Sequence, residues 1–281
     1  MERNNFTASD GTNLSYLIHS KATEGEAPKA ILAIIHGIAY HAEPYVQALT
    51  EATPNGWLVA GLDLRGHGYS EGVRGVRMPR KRITRDIDEW LDRLQHDHPG
   101  VPITLLGESM GSVYALRYAR KHSNRITGLV LLATVGLLAR PQVFHWSAVG
   151  EFLYGLVRPF HPITNVIGWR LLLSTRDPEF VRMRSTDAIT FNRVSGMYLL
   201  DIGLAAVGNI LGGGTLSCPV LMVHGGEDKV VSPLGARLIA KRLKTPDTTL
   251  NIVEGAEHTV PWDPTAPETK RFIRDWLGAN E

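Results

Sequence analysis

At 281 residues the chain has room for one large α/β domain or two small ones, and an apolar share of 43% supplies an ample core. A formal charge of +2 without any block of like charges gives no footing for nucleic acid, and a single cysteine, Cys218, excludes an internal disulfide. The first residues start no apolar signal segment, and the longest apolar run, 129–138, is too short for a bilayer, so a cytoplasmic protein is expected.

In chain order, residues 12–19 alternate like an edge strand after an Asp10-Gly11 turn. Residues 30–36 form an apolar run up to its last residue, the mark of a strand buried on both faces. That run ends in His36-Gly37-Ile38, and a helix begins after His41. Another buried strand, 57–62, is closed by Asp63-Leu64-Arg65-Gly66-His67-Gly68-Tyr69-Ser70. Across 83–94 the apolar residues Ile83, Ile87, Trp90, Leu91 and Leu94 keep helical spacing. A strand from Val101 then meets Gly107-Glu108-Ser109-Met110-Gly111, a helix is expected over 113–122, and 126–133 is the next buried strand. This strand-helix alternation predicts a mostly parallel sheet covered by helices on both faces, with its site beyond the carboxyl ends of the strands.

The rhythm fails over 134–214, which is rich in Leu, Trp, Phe and Arg and shows no clear strand. Pro159, Pro162 and Pro178 divide it into short helices, and it reads as a helical cap inserted over the sheet edge; extra helices packed on the core are the alternative. Leu211-Gly212-Gly213-Gly214 reads as the hinge where the insertion returns. The core, 1–133 and 215–281, resumes with a strand at 219–224, a helix at 234–243, a strand at 248–253 and an amphipathic helix at 267–277. Cys218, ahead of Pro219 at a strand entrance, reads as filler rather than nucleophile.

Gly107 to Gly111 matches the nucleophile elbow, G-x-S-x-G, between a strand and a helix. A serine hydroxyl attacks only when a base takes its proton and an acid orients that base, and in such folds the order is nucleophile, acid, histidine. His258 is the one histidine after His224 and follows a strand, which makes it the expected base. Asp228, also just after a strand, is the expected acid, with Glu227 as its rival; Asp263 follows the histidine and breaks the order. The oxyanion donors are expected at the backbone N–H of Met110 and, from the loop after the first buried strand, of Ile38. His36 reads as a buttress of that loop. No His, Cys and carboxylate spacing suggests a metal, and Gly66-His67-Gly68 lacks the third glycine of a dinucleotide loop, so no cofactor is expected.

These stretches together resemble the α/β-hydrolase superfamily and, within it, the monoacylglycerol lipase/lysophospholipase group. The likeness rests on His36-Gly37, on the 62–72 loop, on Gly107-Glu108-Ser109-Met110-Gly111, on 218–231 and on Glu254-Gly255-Ala256-Glu257-His258. It extends to Ser174-Thr175-Arg176-Asp177-Pro178-Glu179-Phe180 and Thr186-Asp187 in the cap. Tyr40 departs from the pattern, since the lipase relatives usually carry an acidic residue there. The resemblance implies Ser109 as nucleophile, Asp228 as acid, His258 as base, and Ile38 and Met110 as oxyanion donors.

The expected activity is serine carboxylester hydrolysis of an acyl ester, monoacylglycerol or lysophospholipid, through an acyl-enzyme on Ser109. Thioester, amide or carbon–carbon bond hydrolysis, and a non-catalytic ligand receptor, are the alternatives. Phe144, Trp146, Phe152, Leu153, Leu156 and Val157 would line an acyl tunnel or touch a membrane surface transiently, ordinary core being the alternative. The sequence leaves oligomeric state open.

Overall fold

The computed structural model describes residues 1–139, 157–166, 171, 174–212 and 214–280. An antiparallel hairpin, β1 (Glu2–Thr7) and β2 (Asn13–Ser20), leads into β3 (Ala30–Ile35), α1 (Ala42–Thr50) and β4 (Trp57–Leu62). Then come α2 (Arg80–Asp97), β5 (Ile103–Glu108), α3 (Met110–His122) and β6 (Gly128–Leu132). After the cap helices α4 (Pro178–Thr186) and α5 (Gly196–Leu211), the core closes with β7 (Val220–Gly225), α6 (Pro233–Arg242), β8 (Thr248–Val253) and α7 (Ala266–Ala279).

The main sheet has the order β1-β2-β4-β3-β5-β6-β7-β8, parallel from β4 to β8. Its strands read as unbroken apolar runs because both faces are covered. The period-two alternation is still visible in what each residue touches. Ile31, Ala33 and Ile35 pack with the α2, α3 and α6 side, whereas Ala30, Leu32 and Ile34 pack with α1 and α7. Truncating Leu32 or one of these isoleucines to alanine costs about 2–5 kcal/mol.

The strand order places the site. From β3 the chain crosses to β4 on one side, then returns over β3 to β5 on the other. The loops leaving β3 and β5 therefore diverge from neighbouring strands, with Ile35 opposite Gly107, and a crevice opens between them.

Two expectations are corrected. The 12–19 segment is not the edge strand: β1 pairs outside it, a polar stretch, ERNNFT, that carries little apolar alternation. Residues 134–214 also contain strands, because Leu137–Leu138 pairs with Val231–Ser232 and Pro162–Asn165 with Arg193–Ser195. Ladders of two to four residues are too short to show a period. Between Pro178 and residue 214 there is no further proline, and α5 runs unbroken for 16 residues with Ser195 capping it through Tyr198 N–H. Within 211–214, Gly212 ends α5 with its N–H on Gly208 O, and Gly213 lies outside the described residues.

Candidate active site

Ser109 sits where β5 turns into α3, with φ +51° and ψ −120°. This left-handed backbone is tolerated because the turn closes on glycines. A Cβ on Gly111 would collide with the carbonyl of Ile35, and one on Gly107 with the carbonyl of Gly111. Ser109 N–H donates to Leu132 O at 3.0 Å, which fixes the turn to β6. The hydroxyl is left facing the crevice, and the N–H of Met110 opens α3, where first-turn N–H groups lack intrahelical partners.

The loop after β8 brings His258 to this serine, with Ser109 Oγ 2.9 Å from His258 Nε2. Asp228 Oδ2 lies 2.7 Å from His258 Nδ1. The other carboxylate oxygen, Oδ1, accepts the N–H groups of Val230 and Val231, both at 2.8 Å, so the turn after β7 aims the carboxylate. The buried His224 ring approaches the same carboxylate, Nε2 to Oδ2 at 3.4 Å. Burial pulls the His258 imidazole down, but the Asp228 carboxylate outweighs it and lifts the pKa to about 9. Burial works against the Asp228 charge too, yet His258 and His224 hold this carboxyl well below the usual carboxylate range.

On the other side of the crevice is the loop after β3. His36 is wholly buried; its Nδ1 lies 2.7 Å from Gly37 O, and its Nε2 accepts Leu64 N–H at 3.0 Å. That pairing requires a neutral ring protonated at Nδ1, in keeping with burial pushing its pKa down to about 3. His36 is thus a buttress, as its sequence position suggested. Gly37 N–H donates to the Tyr45 hydroxyl at 2.9 Å, and that hydroxyl donates to Glu108 Oε2 at 2.7 Å. Burial pushes the Glu108 carboxyl up. Ala39 follows with φ +55°, and Arg184 of α4 donates from Nη2 to its carbonyl at 2.6 Å.

The family model Hydrolase_4, described as serine aminopeptidase S33, matches residues 26–265. The chain belongs to this family of α/β hydrolases. The hydrolase is 28% identical to the human monoglyceride lipase over 244 residues, covering 83% of this chain and 76% of that protein. It is 26% identical to the Mycolicibacterium smegmatis monoacylglycerol lipase over 284 residues, 97% of this chain and 95% of the relative. Among solved structures, the Paleococcus ferrophilus monoacylglycerol lipase superposes with a TM-score of 0.75 at 25% identity, covering 95% of this chain and 99% of that one.

In the hydrolase, Ser109, His258, Ile38, Tyr40, Phe180 and Trp262 all line one cavity of about 410 Å³, most of whose surface is apolar. Asp228 backs it from behind His258. Glu227 does not join: it is exposed and lies 3.5 Å from Arg176 at the surface. Asp263 instead accepts the N–H of Glu257 and holds the loop that carries His258. Tyr40, the departure from the lipase pattern, packs among Tyr45, Phe180 and Trp262 with the Arg184 guanidinium 4.2 Å from its ring centroid. Of the expected apolar cap stripe, Val157 is 80% exposed, and Phe144, Trp146, Phe152, Leu153 and Leu156 lie outside the described residues. No group of metal-ligating side chains occurs among the described residues.

Sequence reasoning missed Tyr45, His224 and Arg184. Tyr45 and Arg184 carry no motif of their own. His224 lay in a quoted stretch, but only its closeness to Asp228 discloses that it shares that carboxylate.

Proposed function

We propose that this hydrolase cleaves acyl esters of the monoacylglycerol kind through an acyl-enzyme on Ser109. The observation that carries the reading is the Ser109–His258–Asp228 relay, at 2.9 and 2.7 Å, opening on a largely apolar cavity. Ser109 Oγ attacks the ester carbonyl while His258 Nε2 takes its proton. His258 Nδ1–H donates to Asp228, which holds the ring in the tautomer that leaves Nε2 free to accept. The carbonyl oxygen becomes an oxyanion, stabilised by the N–H groups of Ile38 and Met110. Collapse breaks the ester C–O bond, and His258 gives its proton to the departing alcohol. Water then attacks the acyl-enzyme with His258 again as base, releasing the fatty acid and restoring Ser109. Lysophospholipids present the same ester to the same atoms.

Residues 134–214 are proposed as a cap over this site, supported by Phe180, Arg184 and Ile202 lining the cavity with Ser109. The outward face of α5 supports transient contact with a lipid surface, since Leu199, Leu200, Leu204, Val207 and Leu211 are all exposed. No described helix is long and apolar enough to cross a membrane. The buried, unpaired Cys218 fits a cytoplasmic setting.

One assay tests both parts. The wild type should hydrolyse a long-chain monoacylglycerol faster than the corresponding amide, and Ser109→Ala should lose at least about 10⁴-fold in kcat while keeping its melting temperature. Retained turnover removes Ser109 from the mechanism, and a preference for the amide removes the ester reading. Presenting the substrate in vesicles should raise the rate for wild type but not for Leu204→Glu; equal enhancement would deny α5 a membrane role.

A further inference from the structure

We propose that Arg184, carried by cap helix α4, is the positioning residue that keeps the oxyanion loop in its working conformation by holding the left-handed Ala39. This rests on the reading above, in which the N–H of Ile38 receives the oxyanion.

Ala39 is fully buried at φ +55°, a backbone region where an L side chain clashes with its own carbonyl and glycine does not. Something outside the residue must enforce that conformation. The loop is gripped at three places. His36 Nδ1 holds Gly37 O at 2.7 Å, and the Tyr45 hydroxyl holds Gly37 N–H at 2.9 Å. Arg184 Nη2 takes the next two carbonyls, Ala39 O at 2.6 Å and Ile38 O at 3.4 Å. The first two grips come from the core, at the near end of the loop. Among the described residues Arg184, from α4, is the side chain that bonds the Ala39 carbonyl, and two residues further on His41 Nε2 lies 2.7 Å from Asp187 Oδ2.

Its setting argues for a dedicated role. Arg184 is 6% exposed and pairs with no carboxylate among the described residues; its charge meets the two carbonyls and the Tyr40 ring face. Nη1 is buried without a partner. A buried guanidinium whose hydrogen bonds go to loop carbonyls, with the Asp187 and Glu108 carboxylates acting on it only from beyond contact, fixes those dipoles tightly, because rotating either peptide would leave the charge without its acceptors. Without it, the peptides on either side of Ala39 are free to turn toward a right-handed conformation, which redirects the neighbouring Ile38 N–H. The placement of α4 and the readiness of the oxyanion site are in this way one and the same condition.

The test is a cycle of variants on a soluble short-chain ester, which needs no membrane and little of the acyl cavity. Arg184→Met should lower kcat roughly tenfold or more, less than outright loss of an oxyanion donor, with KM changed by under about threefold. The same substitution made on an Ala39→Gly background should cost markedly less, since glycine adopts φ +55° unaided. Should Arg184→Met fail to fold, Arg184→Lys, which keeps the charge but not the fork, carries the same comparison. An equal loss on both backgrounds, a loss seen in KM alone, or no loss overturns the proposal. A wild type inactive on the ester, or an active Ser109→Ala, would instead sink the functional reading beneath it.

Discussion

Two buried residues of the site have left-handed backbones, Ser109 at φ +51° and Ala39 at φ +55°, and they are held by opposite means. The elbow is held by backbone packed on backbone: Gly107 lets β5 and α3 close on each other, and Gly111 lets α3 close on the end of β3. The loop after β3, the proposed oxyanion loop, is held by side chains from elsewhere, Tyr45 from α1 and Arg184 from 145 positions along the chain. Steric closure of backbone on backbone admits almost no alternative, whereas a loop held by side chains from other elements is only as well placed as those elements.

The contrast breaks most sharply at Gly111. Its absent Cβ faces the carbonyls of Ile35 and His36, main-chain atoms that cannot swing aside. Gly111→Ala should therefore prise α3 from β3 and lower the melting temperature by about 10 °C or more, measured by circular dichroism. A variant melting within about 2 °C of wild type would mean that the elbow yields as readily as the loop.

The proton relay adds a pH test on the elbow's side of the crevice. As the proposed base His258 must be neutral, and Asp228 lifts its pKa to about 9. The value of kcat/KM should rise roughly fifty-fold between pH 7 and pH 9, then level off. Stability should move the other way. The folded pKa lies above the ordinary 6.5, so the imidazolium's contribution is complete below pH 6.5 and is lost as pH climbs through about 9. An activity profile flat from pH 7 upward would show that the carboxylate does not outweigh burial.

How much of this was legible in the sequence follows the same division. The buried strands, the elbow and the order Ser109, Asp228, His258 are written in contiguous stretches, where an apolar run or a glycine has one structural meaning. The polar β1 was not, because a strand pairing on one side at a sheet edge needs little apolar patterning. Arg184 was not legible either. On the sequence it is one arginine in a polar run, and nothing local tells that its guanidinium crosses to the carbonyl of Ala39. Tyr40 could be flagged as a departure, but its stacking beneath that guanidinium follows only from the fold.

Tyr45 gives the smallest expected effect and the finest division of the loop's support. Tyr45→Phe keeps the ring among Tyr40 and Trp262 but removes the hydroxyl that accepts Gly37 N–H and donates to Glu108. A buried N–H and a buried carboxylate then each lose a partner, a cost of about 1–3 kcal/mol in stability. The catalytic loss should be milder, about three- to tenfold in kcat at unchanged KM, because His36 still grips Gly37 O on the peptide whose N–H belongs to Ile38. Tyr45 steadies the peptide before the donor, whereas Arg184 fixes the ones after it. A kcat loss from Tyr45→Phe exceeding that from Arg184→Met would move the decisive grip from the cap to the core, and the loop would then be as self-contained as the elbow.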